Sequence, residues 1–92
     1  FIAELESIVR SRLDEGSDSS YTARLAAAGC KRIAQKVGEE GVELALAAVD
    51  GSQQEVIDEA ADLVYHLIVL LNDKGLSLED VAKRLETRHA TD

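Results

Sequence analysis

Five carboxylates in two short segments have the spacing of a metal site. Glu39, Glu40 and Glu43 fall within little more than one helical turn, and Glu59 and Asp62 follow after fifteen intervening residues. At about 100° per residue, the three glutamates share one helical face. Mg²⁺ is held in proteins by a few carboxylates together with water and substrate phosphate oxygens. The two segments are therefore predicted to face each other and to hold a divalent metal against a polyphosphate.

The surroundings of these carboxylates favour a metal site over an ordinary solvated helix face. In the first segment the glutamates lie directly beside Ile33 and Val37, so the acidic face borders the core. Taking carboxylates partly out of water costs several kcal/mol per ion, and Lys36 alone cannot neutralise them. Solvated helix charges are the alternative, but Glu59 and Asp62 precede an apolar helical run, which argues against it.

Composition limits the class of protein. A length of 92 residues allows a single domain over residues 1–92, and the absence of Trp, Met and Pro suits close-packed helices. A net charge of -8 argues against nucleic-acid binding, and the lone Cys30 excludes an internal disulfide. No apolar run is long enough for a membrane span, so we expect a soluble cytoplasmic protein. The first residue is Phe1 rather than Met, which is consistent with a trimmed or processed start.

Apolar periodicity and capping residues predict an all-α chain of four to five helices. The expected helices are residues 1–15, 21–28, 30–49, 53–73 and 78–88, with N-caps at Ser52 and Ser77, a flexible loop at residues 16–20 and a frayed tail after residue 88. Gly38 and Gly41 interrupt the third helix, where each costs about 1 kcal/mol relative to Ala. We expect another helix or a ligand to approach the backbone there.

The fourth helix predicts self-association. Residues 63–71 are apolar nearly all round, which is typical of a helix buried on most sides. A chain of this size can hardly surround such a helix by itself. We therefore expect a homodimer whose helices complete a larger bundle. His66, alone on this apolar helix, is expected to be a hydrogen-bonded core or dimer residue.

The acidic pattern also carries a family resemblance over nearly the whole chain. Glu39-Glu40-Gly-Val-Glu43 followed by Glu59-Ala-Ala-Asp62 resembles the EExxE and ExxD motifs of the all-α, MazG-like nucleotide pyrophosphohydrolases. Within that group the chain is similar to phosphoribosyl-ATP pyrophosphohydrolase of histidine biosynthesis. The supporting segments are Ser20-Tyr-Thr22, Lys36-Val-Gly-Glu-Glu40, Glu59-Ala-Ala-Asp-Leu-Val-Tyr-His-Leu67 and Gly75-Leu-Ser-Leu-Glu-Asp-Val81.

The resemblance implies a dimeric, Mg²⁺-dependent hydrolase, with Mn²⁺ as a possible substitute. Such an enzyme converts phosphoribosyl-ATP to phosphoribosyl-AMP and pyrophosphate by attack of water at the α–β phosphoanhydride. By analogy the metal ligands would be Glu40, Glu43, Glu59 and Asp62. Glu39 would orient or deprotonate the water or hold a further Mg²⁺. Phosphate or substrate contacts would come from Lys36, Lys31, Arg24, Arg84, Tyr21 and Thr22.

Other interpretations stay open at this point. One is a house-cleaning pyrophosphohydrolase acting on common nucleotides such as dCTP or dUTP. Another is a non-enzymatic dimerisation domain whose acidic faces bind a basic partner. Residues 20–22 could serve only as a helix cap. The resemblance also raises a contact with phosphoribosyl-AMP cyclohydrolase, an enzyme that is sometimes fused to this activity.

Overall fold

A computed structural model describes residues 1–15 and 20–90. Over these ranges the chain forms five helices and no strand: α1 (Ile2–Glu15), α2 (Tyr21–Ala28), α3 (Cys30–Asp50), α4 (Gln53–Asp73) and α5 (Leu78–His89). The predicted all-α class is confirmed, and each expected helix boundary lies within one residue of the observed one. The flexible loop predicted at residues 16–20 lies outside the described residues apart from Ser20, and so do residues 91–92 of the predicted tail.

Three serine caps explain why the starts of α2, α4 and α5 could be predicted. Ser20 accepts a hydrogen bond from the N–H of Ala23 at 3.0 Å and so opens α2. Ser52 accepts from the N–H of Glu55, whose side chain accepts from the N–H of Ser52 in return. Ser77 forms the same reciprocal box at the start of α5. Each cap satisfies N–H groups that have no partner within the helix, and such caps contribute about 1 kcal/mol.

The antiparallel hairpin of α3 and α4 is the frame of the fold. These two helices are joined by Gly51 and Ser52 alone and pack along each other. The core lies where α1 and α2 cover one side of the hairpin, and its buried members are Val9, Leu25, Ile33, Ile68 and Val69. Burying a side chain of this size stabilises the fold by about 1.5–3 kcal/mol relative to leaving it in water. The hairpin therefore fixes which residues of α3 can meet α4.

A polar junction ties α1 to the end of α4 and the start of α5. The Glu6 carboxylate accepts hydrogen bonds from the backbone N–H of Leu78 at 2.8 Å and from the side-chain amide of Asn72 at 3.4 Å. The Asn72 amide oxygen accepts in turn from the Arg10 guanidinium at 3.1 Å. Because α5 contributes no buried residue, this junction is an important part of what holds its N-terminus.

The two glycines inside α3 have open space around them. No atom of the described chain lies within 4 Å of a Cβ built at Gly38 or Gly41, beyond their own helix and chain neighbours. No other helix of the described chain approaches the backbone there, so the expected approach of another helix or a ligand stays a prediction for a second copy or a bound ligand. Among the described helices, none has the combined length and apolar character that crossing a membrane requires.

Candidate metal centre

Three carboxylates converge between α3 and α4. Glu40 and Glu43 of α3 and Glu59 of α4 each offer one oxygen, and these three oxygens all lie within 4.8 Å of one another. Glu40 and Glu43 come together because they are three residues apart on one helical face. Glu59 joins them because the α3–α4 hairpin places the early turns of α4 beside the middle of α3. The predicted convergence of the two acidic segments is thus seen for these three residues.

Two oxygens of the cluster lack hydrogen-bond donors. Glu40 is 5% exposed, and its Oε2 atom has no hydrogen-bond partner among the described residues. The buried Oε2 of Glu59 is in the same situation. A buried polar atom without a partner costs about 1–3 kcal/mol, and more when it is charged. Unpartnered carboxylate oxygens of this kind are what a site for an external cation would present.

The electrostatics of Glu59 reflect the same crowding. Desolvation raises the pKa of the Glu59 carboxyl above its usual range, and a hydrogen bond with Glu43 raises it further. The nearby charges of Glu43, Glu40 and Asp62 act in the same direction. A nearby cation would favour the ionised form and oppose these effects. The donor set, carboxylate oxygens alone, is the type that Mg²⁺ and Mn²⁺ prefer.

Lys36 borders the cluster without neutralising it. Its ammonium group lies 3.3 Å from Glu40 Oε1 and 3.7 Å from Glu39 Oε2. The bond with Glu40 is the main reason that the pKa of Lys36 is raised, although burial opposes the change. Lys36 therefore engages one oxygen of Glu40, while the other oxygen has no donor among the described residues.

Two of the predicted acids lie outside the cluster. Glu39 is partly exposed and pairs with Arg32 at 3.6 Å as well as with Lys36. Asp62 is exposed and is not one of the three residues whose oxygens converge, although its charge reaches Glu59. The role of Arg32 was missed from the sequence. Its position seven residues before Glu39, two helical turns away on the same face, could have indicated it.

A groove opens beside the cluster. It has a volume of about 440 Å³ and runs between the C-terminal half of α3 and the first turns of α4. Glu43 and Glu59 line it together with the apolar Leu46 and Val49. The carboxylates are therefore accessible from a space of the size that small-molecule sites have.

Comparison with known proteins identifies the family of this chain. The family model described as phosphoribosyl-ATP pyrophosphohydrolase matches residues 2–89. The chain belongs to the phosphoribosyl-ATP pyrophosphohydrolase family. The predicted family is thereby confirmed, and with it the predicted enzyme class, a hydrolase.

This chain has relatives among longer proteins. It is 57% identical over 89 residues to the histidine biosynthesis bifunctional protein HisIE of Photobacterium profundum, covering 97% of this chain and 43% of that protein. The HisIE proteins of Pasteurella multocida and Campylobacter jejuni are 58% and 55% identical, again over 97% of this chain, with 44% and 43% of their own lengths covered. The chain thus spans less than half the length of these relatives.

The other predicted site residues lie on three helices. Lys31, Arg24 and Arg84 are exposed, and they lie on α3, α2 and α5 respectively. Tyr21 and Thr22 instead form side-chain hydrogen bonds to α4. The Tyr21 hydroxyl lies 2.8 Å from His66 Nε2, and the Thr22 hydroxyl bonds the Tyr65 hydroxyl. Residues 20–22 therefore do more than cap α2: they attach its first turn to the frame.

His66 matches its prediction as a hydrogen-bonded core residue. It is 6% exposed, and its Nδ1 atom lies 2.8 Å from the backbone carbonyl of Asp62. Its ring is in edge contact with the rings of Tyr21 and Tyr65, with centroids 5.8 Å and 5.4 Å away. The bond to Tyr21 was not predicted, because it joins residues 45 positions apart.

Proposed function

We propose that this chain hydrolyses the α–β phosphoanhydride of phosphoribosyl-ATP, giving phosphoribosyl-AMP and pyrophosphate, with Mg²⁺ held by Glu40, Glu43 and Glu59. The observation that carries the proposal is the convergence of these carboxylates, two of them with unpartnered oxygens, in a chain of this family. Asp62 is kept as a further proposed ligand on the basis of its motif. Mn²⁺ is expected to substitute, since it has the same preference for oxygen ligands.

The residues around the cluster would divide the work between holding charge and placing the substrate. Mg²⁺, when bound, offsets phosphate charge, orients the substrate and acidifies a water. Lys36 keeps Glu40 oriented and offers a positive charge to phosphate oxygens at the rim. The groove beside Glu43 and Glu59 leaves room for a nucleotide. Glu39 is the proposed group that orients or deprotonates the attacking water, held in place by its two ion pairs.

A single-turnover assay with purified protein, phosphoribosyl-ATP and Mg²⁺ tests this function. We expect equal amounts of pyrophosphate and phosphoribosyl-AMP, and no product when the metal is chelated. Parallel reactions with dCTP and dUTP should be much slower. If dCTP or dUTP were hydrolysed faster than phosphoribosyl-ATP, the proposed substrate would be wrong and a common nucleotide would take its place. Folded protein that releases no pyrophosphate from any of them would refute the hydrolytic function.

The homodimer is part of the proposal, and an exposed apolar face of α3, two of whose residues also line the groove, supports it. Val42, Leu46 and Val49 recur at helical spacing on this face, and Leu46 is 65% exposed. The open space at Gly38 and Gly41 lies on the same helix and would let a second copy approach its backbone closely. An exposed apolar stripe of this kind marks an interaction surface more often than a solvated one.

Sedimentation velocity tests the dimer. Wild-type protein is expected to sediment as a dimer at micromolar concentration, and Leu46→Glu should shift it toward the monomer. Ile8→Glu is the matched control, because Ile8 is an exposed apolar residue on α1, away from this face. A wild-type monomer, or an unchanged dimer in Leu46→Glu, would argue against the α3 interface.

A cytoplasmic location and a contact with phosphoribosyl-AMP cyclohydrolase complete the proposal. The contact is supported by the relatives, which are named as bifunctional proteins and are more than twice the length that this chain matches. Co-purification of this chain with a separately expressed cyclohydrolase, at the concentration used for the assay, tests the contact. Independent elution of the two proteins would contradict it.

A further inference from the structure

The hydrogen bonds of His66 fix the direction of the bond it makes with Tyr21. The backbone carbonyl of Asp62 can only accept, so the hydrogen of the neutral ring lies on Nδ1. Nε2 is then an acceptor, and the hydroxyl 2.8 Å away must donate to it. The proton of Tyr21 is therefore committed to the protein.

The Tyr21 oxygen keeps its accepting capacity, and Tyr21 lies near Lys36 at the border of the acid cluster. Tyr21 is 43% exposed, so part of this residue is open to solvent or to a ligand. It lies close enough to Lys36 for its field to contribute to the raised pKa of that residue. The next side chain, Thr22, bonds Tyr65 and holds the same turn of α2 against α4. Two successive residues of α2 are thus attached to two successive residues of the helix that carries Glu59.

We propose that His66 is a positioning residue that makes Tyr21 a pure hydrogen-bond acceptor for a donor group of the substrate, such as a ribose hydroxyl. This inference rests on the proposed function, since the ligand is the substrate of that reaction. Phosphate oxygens at neutral pH are acceptors, so a hydroxyl whose own proton is engaged does not bind them. Tyr21 consequently recognises the sugar part of the substrate, and Lys36 the phosphate part.

Two substitutions at position 66 separate positioning from packing. Asn offers an amide nitrogen at the place of Nδ1 and keeps the bond to the Asp62 carbonyl, but it has no atom at the place of Nε2. Gln has a polar atom there and can accept from Tyr21. We expect Tyr21→Phe and His66→Asn each to raise KM about 2- to 10-fold, the range that one hydrogen bond supplies, with kcat little changed. His66→Gln should restore KM toward the wild-type value.

The double variant Tyr21→Phe with His66→Asn decides whether the two residues act as a unit. If His66 acts through Tyr21, the double variant has the KM of either single variant. A purely structural His66 would instead give effects that multiply, a fall in kcat, and no rescue by Gln. Either of those results overturns the proposal while leaving the hydrolytic function intact, because wild-type turnover in the same assay reports that function separately.

The ring nitrogens of His66 give a readout that does not depend on activity. In nitrogen-15 spectra of wild-type protein we expect a protonated Nδ1 and an unprotonated, hydrogen-bonded Nε2. His89→Gln assigns the signals, since these are the two histidines of the chain. Tyr21→Phe should shift the Nε2 resonance and leave Nδ1 nearly unchanged. A protonated Nε2, or no shift in Tyr21→Phe, would contradict the proposed direction of the bond.

Discussion

Glu6 at the α1–α5 junction and the glutamates of the acid cluster occupy opposite hydrogen-bonding environments. Glu6 accepts from the Leu78 N–H and the Asn72 amide through one oxygen. Glu40 and Glu59 each keep an oxygen that no donor among the described residues reaches. The same residue type thus has two hydrogen-bond donors at the helix junction and lacks a donor to one oxygen in the acid cluster. Burial of a glutamate therefore indicates a metal site only when its carboxylate oxygens lack hydrogen-bond donors.

The largest expected difference between the two regions is in activity. Glu40→Gln or Glu59→Gln should reduce pyrophosphate release by more than about 100-fold, since losing even an outer-shell partner of a metal costs about 10–100-fold. Glu6→Gln should stay within a few-fold of wild type, because its amide oxygen can still accept from Leu78. Steady-state rates for the three variants make the comparison. Equal losses of activity in Glu6→Gln and Glu40→Gln would contradict the assignment of Glu40, but not Glu6, to the metal site.

Stability should respond in the opposite order. Glu6→Ala removes a charged acceptor from two donors and is expected to lower the free energy of unfolding by about 1.5–3 kcal/mol. Glu59→Gln, measured without metal, should cost nothing or stabilise, because it relieves repulsion among the clustered carboxylates. Urea denaturation of both variants in a chelating buffer checks this. A strongly destabilised Glu59→Gln would indicate a structural role for the cluster.

The pH dependence of stability sharpens the contrast further. The pKa of Glu59 is raised in the folded state, chiefly by desolvation and then by Glu43, above its usual 4.5. The folded state therefore binds the proton more tightly than the unfolded state does. The stabilisation from this group is fully present below the unfolded pKa and is lost as pH rises through the folded pKa.

Metal-free unfolding measured across the carboxyl titration range tests this sign. Relative to Glu59→Gln, the wild type is expected to lose stability as the pH rises from about 4.5, the ordinary glutamate value, through the folded pKa. Taking the difference from Glu59→Gln removes the pH dependence contributed by the titrating groups that the two proteins share. A wild type that gains stability relative to the variant over this range would mean that Glu59 is stabilised as an anion, contrary to its surroundings.

The smallest expected effect concerns the ion pair of Arg32 with Glu39. Both side chains are substantially exposed and 3.6 Å apart, so Arg32→Gln should change the free energy of unfolding by less than about 0.5 kcal/mol. A change in activity without a change in stability would support the proposed role of Glu39 in orienting or deprotonating the attacking water. A stability loss above about 1 kcal/mol would place Glu39 with Glu6 among the structural acids.

Local patterns in the sequence predicted the helices and most of the cluster, and long-range contacts account for what was missed. Serine caps and apolar periodicity act within a few residues, so they gave the helix bounds. Glu40 and Glu59 could be paired because a short connection forces α3 against α4. The Glu6 junction and the Tyr21–His66 bond join residues far apart in the chain, so no local pattern shows them. The rotation of α4 that leaves Asp62 outside the cluster is likewise set by packing.

Direct titration of Mn²⁺ into metal-free protein, followed by electron paramagnetic resonance of the free ion, tests the central claim that the cluster is a cation site. Wild type and Glu6→Gln are expected to bind Mn²⁺ with equal affinity. Binding should weaken at least about 10-fold in Glu40→Gln and in Glu59→Gln. Competition by Mg²⁺ should release the Mn²⁺. Unchanged Mn²⁺ affinity in Glu40→Gln and Glu59→Gln would show that Mn²⁺ binds elsewhere and that the cluster is not a cation site.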